Sequence, residues 1–209
     1  MAKDSRLPPK IPDTASTSEV DVFLRRLAAT PAPGRSAGPD GSLARGRLIF
    51  AMDATASREP TWDRASHLQA EMFKETEALG GLDVQLIYYR GFGECRASPW
   101  VSESAKLLRF MTGVFCLAGR TQIGKVLQRA AKETRQRKVS ALVFVGDAME
   151  EELDHLGHLA GELGLLGVPC FMFHEGSDAV ARRAFQQIAR LSGGAFCTFD
   201  SASARQLRE

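Results

Sequence analysis

The chain has 209 residues, of which 44% are hydrophobic, and its 27 basic and 25 acidic residues leave a net charge of +2. This length suits one globular domain with room for tails, and the hydrophobic fraction is sufficient for a buried core. The near balance of charge excludes a chain-wide attraction to nucleic acid or membrane surfaces, and four scattered cysteines without C-x-x-C spacing argue against a disulfide framework or a zinc site.

The first 45 residues differ in composition from the rest of the chain. They are rich in Pro, Gly, Ser and Ala, which is typical of flexible segments. Within them, residues 18–29 predict a short amphipathic helix that Ser18 can cap. Such a helix is marginally stable alone, so we expect it to dock either on the domain, residues 46–209, or on a partner. No secretion signal or membrane-length apolar run is present in the sequence, so we expect a cytoplasmic protein.

From residue 47 onward the pattern alternates between strands and helices. Apolar runs predict strands at residues 47–55, 83–91, 139–147, 168–176 and 195–200, with a shorter edge strand within 93–100. Amphipathic patterns predict helices at residues 61–81, 102–115, 121–138, 150–167 and 177–194, and the start of another at 201–209. Strands joined by helices of this length require right-handed crossovers. The sequence therefore predicts a doubly wound α/β fold, a mostly parallel sheet with helices on both faces and ligands beyond the carboxyl ends of its strands.

Residues 118–126, AGRTQIGKV, permit an enzymatic interpretation. Gly119, Gly124 and Lys125 have the spacing of a phosphate-binding loop. A later apolar run ends in Asp147. The Mg²⁺-binding strand of a nucleotide hydrolase ends in an aspartate in the same way. Against this, a valine follows the lysine where such a loop needs a hydroxyl, and the preceding segment reads as the end of a helix rather than a strand. A nucleotide or phosphoester hydrolase is therefore the alternative function. If the segment does not bind phosphate, we expect the two glycines to provide flexibility at a turn from loop to helix.

A second set of polar residues lies where three predicted elements meet one edge of the sheet. Asp53, Thr55 and Ser57 follow the first buried strand at i, i+2 and i+4. Thr121 opens a later helix, and Asp147 closes a later strand. Two carboxylates and three hydroxyls are hard oxygen donors, which can converge on a divalent cation of the Mg²⁺ type.

These three motifs, DATAS, GRTQIG and VGD in that order, make residues 47–209 resemble the von Willebrand factor type A (vWA) domain. The resemblance implies a metal-ion-dependent adhesion site (MIDAS) made of Asp53, Thr55, Ser57, Thr121 and Asp147. Thr55 and Ser57 would bind the ion directly, Thr121 would do so in the ligand-bound state, and the two carboxylates would act directly or through water. The implied cofactor is Mg²⁺, or Mn²⁺ or Ca²⁺ in its place. An acidic residue of a partner protein would fill the open coordination position, so the resemblance implies an interaction module rather than an enzyme. In this family, the partner can be an ATPase or a chelatase-like assembly.

Charged runs elsewhere have ordinary structural explanations. The helix predicted at 121–138 has a basic face, but no aromatic residues interleave with it, so we expect a solvated face and no nucleic-acid partner. Glu150, Glu151 and Glu152 open the helix predicted at 150–167, and we expect them to complement the dipole at its N-terminus. No loop pairs a nucleophile with a base, which argues against catalysis.

Overall fold

A computed structural model of the chain describes residues 45–59 and 82–199. The helices expected at 18–29 and 61–81 lie outside the described residues, as does the segment from residue 200 onward. The strands are β1 (Gly46–Asp53), β2 (Leu82–Arg90), β3 (Glu94–Ala97), β4 (Ala141–Gly146), β5 (Cys170–Glu175) and β6 (Ala195–Phe199). The α-helices of the described part are α1 (Ser104–Thr112), α2 (Ile123–Gln136), α3 (Leu153–Leu165) and α4 (Ala179–Ser192).

The six strands form one sheet in the order β3-β2-β1-β4-β5-β6. All neighbouring pairs are parallel except β2 and β3, which are antiparallel, so β3 is the edge strand that the sequence predicts. The chain moves outward from β1 to β3 on one side and from β4 to β6 on the other. The strand order therefore switches between β1 and β4, and the predicted doubly wound α/β fold is confirmed.

Two apolar layers cover the two faces of this sheet. Because successive side chains of a strand point to opposite faces, Ile49 and Ala51 of β1 pack with α2, α3 and α4, whereas Leu48 and Phe50 pack on the face that holds α1. Asp178 is the N-cap of helix α4, and its carboxylate accepts hydrogen bonds from N–H groups of the first turn. None of the helices in the described part of the chain is long and apolar enough to cross a bilayer.

A buried polar cluster joins the amino end of β1 to the last turns of α2. Glu133 Oε2 accepts a hydrogen bond from Trp100 Nε1 at 3.0 Å and lies 3.3 Å from Arg47 Nη2. Its Oε1 lies 2.8 Å from Arg129 Nη2. The Arg47 guanidinium also stacks on the Trp100 ring, 3.7 Å from its centroid, and donates to the carbonyl of Arg137 at 2.6 Å. Glu133 therefore holds three partners from different parts of the chain at the edge of the sheet opposite the carboxyl ends of the strands.

Candidate functional site

The loop after β1 brings Asp53, Thr55 and Ser57 into direct contact. Asp53 is fully buried, and its Oδ1 accepts the N–H of Thr55 at 2.8 Å. This side-chain-to-backbone bond turns the chain as it leaves the strand. A 3₁₀ turn over Ala56–Arg58 then places Ser57 Oγ 3.1 Å from Thr55 Oγ1. One short loop thus supplies two adjacent hydroxyl oxygens and a buried carboxylate.

Tyr89, at the end of β2, belongs to the same site, although the sequence analysis did not include it. It pairs with Asp53 in the sheet register, and its hydroxyl donates to Asp53 Oδ2 at 2.9 Å. Burial raises the pKa of Asp53, while the hydrogen bonds from Thr55 and Tyr89 oppose that shift. Burial and the charge of Asp53 hold the pKa of Tyr89 well above its usual range, so the hydroxyl stays a donor. Its position at the end of the neighbouring parallel strand was the signal that could have found it.

Asp147 follows β4, the neighbour of β1 on its other side. Met52 pairs with Val145, so the next residue of each strand, Asp53 and Gly146, lie at the same level of the sheet. A Cβ atom on Gly146 would be 3.5 Å from the Cβ of Asp53. Asp147 Oδ1 is buried and has no hydrogen-bond partner within the described part of the chain. After the larger effect of burial, the charge of Asp147 is a further cause of the raised pKa of Asp53. A cation would offset this unfavourable arrangement of two neighbouring carboxylates.

Thr121 is attached to the loop of Asp147. Its Oγ1 accepts the N–H of Glu150 at 3.0 Å, and its own N–H donates to Glu150 Oε2 at 3.2 Å. Its side chain is buried. The structure therefore links Thr121 to the β4–α3 loop through two hydrogen bonds, while its hydroxyl keeps one further lone pair and its proton.

The segment that carries Thr121 packs on the turn between β2 and β3. Arg120 N–H donates to the carbonyl oxygen of Gly91 at 3.1 Å, and Gly91 N–H donates to the Leu117 carbonyl at 3.4 Å. A Cβ atom on Gly119 would lie only 2.0 Å from the Gly91 oxygen. Gly119 therefore permits a close approach of two backbones, which corrects the expectation that it provides flexibility.

The carboxylate of Glu151, in the β4–α3 loop, occupies the N-terminus of α2. The N–H groups of Ile123 and Gly124 donate to Glu151 at 2.5 and 2.9 Å. Lys125 Nζ donates to the carbonyl oxygen of Gly93 at 3.0 Å. A phosphate loop would present these same donors to its ligand. Since the segment before α2 is a loop that follows a helix, the structure disfavours the nucleotide-hydrolase interpretation.

Glu150 and Glu151 thus serve a different helix from the one expected. They were expected to form the first turn of the helix predicted at 150–167, but α3 begins only at Leu153, with Glu152 at its N-cap. Both carboxylates instead accept hydrogen bonds from Thr121 and from the first turn of α2. The expectation was wrong because the N-terminus of α2 meets the β4–α3 loop at the same edge of the sheet, and its dipole attracts the nearer carboxylates.

A buried ion pair crosses the same edge. Arg58, which is 1% exposed, follows Ser57, and its Nη1 lies 2.7 Å from Oε2 of Glu175 at the end of β5. Since β4 separates β1 from β5 in the sheet, this pair spans the end of β4. It fixes the 3₁₀ turn and thereby the position of the Ser57 hydroxyl.

The donor set fits a hard divalent cation. In residues 45–59 and 82–199, no group of three or more His, Cys, Asp or Glu side chains could hold a metal, so an ion at this edge would depend on hydroxyl ligands. Thr55 and Ser57 present two neighbouring hydroxyl oxygens, and Asp147 presents a buried oxygen that has no partner among the residues the structure describes. Mg²⁺, Mn²⁺ and Ca²⁺ prefer oxygen ligands of these kinds.

Comparison with known proteins gives structural relatives only. No family model matches the sequence, and no curated protein matches it significantly. Among solved structures, the SpRpn10 VWA domain is 13% identical with a TM-score of 0.60. The match covers 75% of this chain and 88% of the SpRpn10 domain. Proximal thread matrix protein 1 from the mussel byssus, with a zinc-occupied MIDAS motif, is 17% identical with a TM-score of 0.59. The match covers 78% of this chain and 44% of the mussel protein.

A third similar structure is the pilus adhesin SpaC from Lactobacillus rhamnosus GG. It is 11% identical with a TM-score of 0.61, and the match covers 80% of this chain and 29% of the adhesin. The chain thus spans less than half the length of the mussel protein and of the adhesin. Similarity at these identities is similarity of fold alone. The chain has the fold of the von Willebrand factor type A domain.

Proposed function

We propose that the protein is a protein-interaction module that depends on a divalent metal. Asp53, Thr55, Ser57, Thr121 and Asp147 would hold Mg²⁺, or Mn²⁺ or Ca²⁺ in its place. An acidic residue of a partner would complete the coordination. The observation that carries the proposal is the buried Oδ1 of Asp147, which has no partner within residues 45–59 and 82–199 and lies beside a second buried carboxylate and a pair of hydroxyls. The zinc-occupied MIDAS of the mussel protein with the same fold supports it.

The contacts assign different roles to these residues. Both oxygens of Asp53 already accept hydrogen bonds, from Thr55 and Tyr89, so Asp53 orients the loop and supplies charge. The hydroxyl oxygens of Thr55 and Ser57 are the direct ligands in this proposal. Few direct carboxylate ligands would leave the ion electron-poor, which favours an anionic ligand from outside. A cytoplasmic ATPase or chelatase-like assembly is the kind of partner we propose.

Magnesium is expected to stabilise the wild-type protein against heat and to have no effect on Asp147→Ala. At a Mg²⁺ concentration of about 100 times Kd, a single site adds about 2.7 kcal/mol to the free energy of unfolding. For a protein of this size, this corresponds to a rise in Tm of roughly 5–10 °C. The measurement is thermal unfolding in Mg²⁺, Mn²⁺, Ca²⁺ and EDTA.

The control for this experiment is Asp154→Ala, which removes an exposed carboxylate from α3. It should retain the full response to Mg²⁺. In EDTA, Asp147→Ala should be as stable as the wild type or more so, because it removes a buried carboxylate oxygen that has no partner in the described part of the chain. A wild-type Tm that is the same in Mg²⁺, Mn²⁺, Ca²⁺ and EDTA would refute the metal site.

Nucleotides are expected not to bind. The amide donors at the start of α2 and the ammonium group of Lys125 are already occupied by protein oxygens, so a phosphate would have to displace them. With the protein already saturated with Mg²⁺, isothermal titration with ATP-Mg²⁺ or GTP-Mg²⁺ at millimolar concentration should give no binding heat. Saturable binding that disappears in Lys125→Ala would instead support the hydrolase alternative.

A further inference from the structure

Three large apolar side chains are exposed beside the candidate metal site. Phe92 is 83% exposed, Phe115 is 62% exposed and Leu117 is 45% exposed. Phe92 lies in the turn after β2, and the other two lie in the loop between α1 and α2. Single exposed apolar residues need no explanation, but a cluster of them commonly marks an interaction site. We call these three residues the apolar rim.

Contacts with the end of β2 and the turn after it position Leu117 and Phe115. A Cβ atom on Gly91, the residue before Phe92, would lie 3.3 Å from Leu117 Cδ2, so the Leu117 side chain lies against the β2–β3 turn. The Arg90 guanidinium lies over the ring of Phe115, 4.0 Å from its centroid, and donates to the carbonyl of Phe115 at 3.0 Å. The cation–π contact fixes an aromatic ring that would otherwise rotate freely in solvent.

The apolar rim is continuous with the candidate metal site. Leu117 N–H donates to the carbonyl of Ala54 at 3.0 Å. Ala54 lies between Asp53 and Thr55, two of the proposed metal-binding residues. A ligand whose carboxylate reached the metal would therefore have its adjoining residues next to Leu117.

The charge beside the apolar rim favours an acidic ligand. Arg120 is exposed and makes no ion pair with any residue in the described ranges. Its backbone N–H is bonded to Gly91, which places it within the same contact between loop and turn. A bound divalent cation would neutralise Asp53 and Asp147 at this edge, so that the exposed charge of Arg120 could attract an acidic partner.

We propose that the apolar rim is the second half of the binding site and selects an extended acidic segment with large apolar side chains. A carboxylate of this segment binds the metal, and neighbouring leucine or aromatic side chains pack on Phe92, Phe115 and Leu117. The inference rests on the proposed metal-dependent function and adds the partner chemistry to it. Large apolar anchors beside one polar contact are the usual source of binding energy in such interfaces.

Fluorescence anisotropy with three synthetic peptides tests the apolar rim. All three are ten residues long and carry fluorescein, and the first, the acidic-apolar peptide, consists of Gly and Ser with one Asp followed directly by a Leu-Phe pair. In the second peptide Ser replaces Leu and Phe, and in the third Asn replaces Asp. In Mg²⁺, the acidic-apolar peptide should bind wild type at least tenfold more tightly than either other peptide.

Variants of the apolar rim separate this inference from the metal-dependent function. The double substitution Phe92→Ser and Phe115→Ser changes two highly exposed side chains, and it should abolish the preference for the acidic-apolar peptide while the Mg²⁺-dependent rise in Tm remains. The matched control is Leu165→Ser, which is 93% exposed at the C-terminal end of α3, toward the opposite edge of the sheet, and should leave the preference intact. Equal affinity of the acidic-apolar peptide and the second peptide, which lacks Leu and Phe, would overturn the inference about the apolar rim. A preference that survives the double substitution would do the same, and both results would leave the proposed metal-dependent function intact. Absence of any Mg²⁺ effect on Tm or on peptide binding would overturn the proposed function as well.

Discussion

Replacing Gly119 with alanine is expected to lower the free energy of unfolding by about 3 kcal/mol, the upper end of the usual range for overpacking. The new Cβ would lie 2.0 Å from the oxygen of Gly91 and 2.2 Å from its carbonyl carbon. Backbone atoms cannot rotate away as a flexible side chain can, so the loop before α2 must move. For a protein of this size, the loss corresponds to a fall in Tm of roughly 6–12 °C.

The same substitution should also abolish the response to Mg²⁺. The displaced loop carries Thr121, two residues after the substitution, and its reciprocal hydrogen bonds with Glu150 depend on the loop's position. Thermal unfolding with Mg²⁺ and with EDTA measures both effects in one experiment.

Gly93→Ala is the matched control for Gly119→Ala. Gly93 lies in the turn on which the loop packs, but a Cβ atom there would meet no other atom within 4 Å. Its stability should stay within about 0.5 kcal/mol of wild type, as for most surface substitutions. Wild-type stability in Gly119→Ala would show that the loop can move away from Gly91 without cost, which would contradict the close backbone packing described above.

Glu133→Ala is expected to cost about 3–5 kcal/mol, because it leaves the buried guanidinium of Arg47 without its carboxylate. Arg47 is 6% exposed and Glu133 is also 6% exposed, so water cannot replace the lost partner fully. The substitution also removes the acceptor of Trp100 Nε1. Urea denaturation followed by circular dichroism measures the loss, and Lys132→Ala, at an exposed position on the same helix, should change stability little. A loss below about 1 kcal/mol would show that Glu133 contributes no more to stability than an exposed surface ion pair does.

Glu133→Gln separates charge from shape in the same cluster and predicts a pH dependence. Burial acts to raise the pKa of Glu133, but the hydrogen bond from Trp100 and the charges of Arg129 and Arg47 together lower it. A lowered pKa in the folded state means that the ionised carboxylate stabilises the fold above the ordinary glutamate pKa of about 4.3 and that this contribution is lost as pH falls through the lowered value. The advantage of wild type over Glu133→Gln should therefore be full at pH 7 and shrink below about pH 4. An advantage that does not vary with pH would contradict an electrostatic origin.

The doubly wound fold was predictable because it depends on local patterns. Uninterrupted apolar runs predict buried parallel strands, and the amphipathic segments between them predict crossover helices. The strand ends were less accurate, and the helix predicted at 102–115 is the shorter α1, which ends at Thr112. Hydrophobic periodicity does not define where a helix yields to a loop, because the loop between α1 and α2 also contains large apolar residues.

The candidate site was only partly predictable. Asp53, Thr55 and Ser57 lie within five residues of one another, so the spacing alone was enough to bring them together. Sequence spacing could not assign Tyr89 to the site. It is 36 residues from Asp53, and its hydrogen bond to Asp53 depends on the register between β1 and β2. The partners of Glu150 and Glu151 depend likewise on which helix begins opposite their loop.

The sequence by itself determined the order of elements and the identity of the oxygen donors, since periodicity and residue chemistry are properties of short segments. Only the tertiary structure decided what each group contacts. It placed the carboxylate of Glu151 at the N-terminus of α2, left Asp147 Oδ1 without a partner within the described ranges, and placed the apolar rim next to the loop of Asp53. These relations join residues far apart in the chain, and they exist only once the packed sheet brings its loops to one edge.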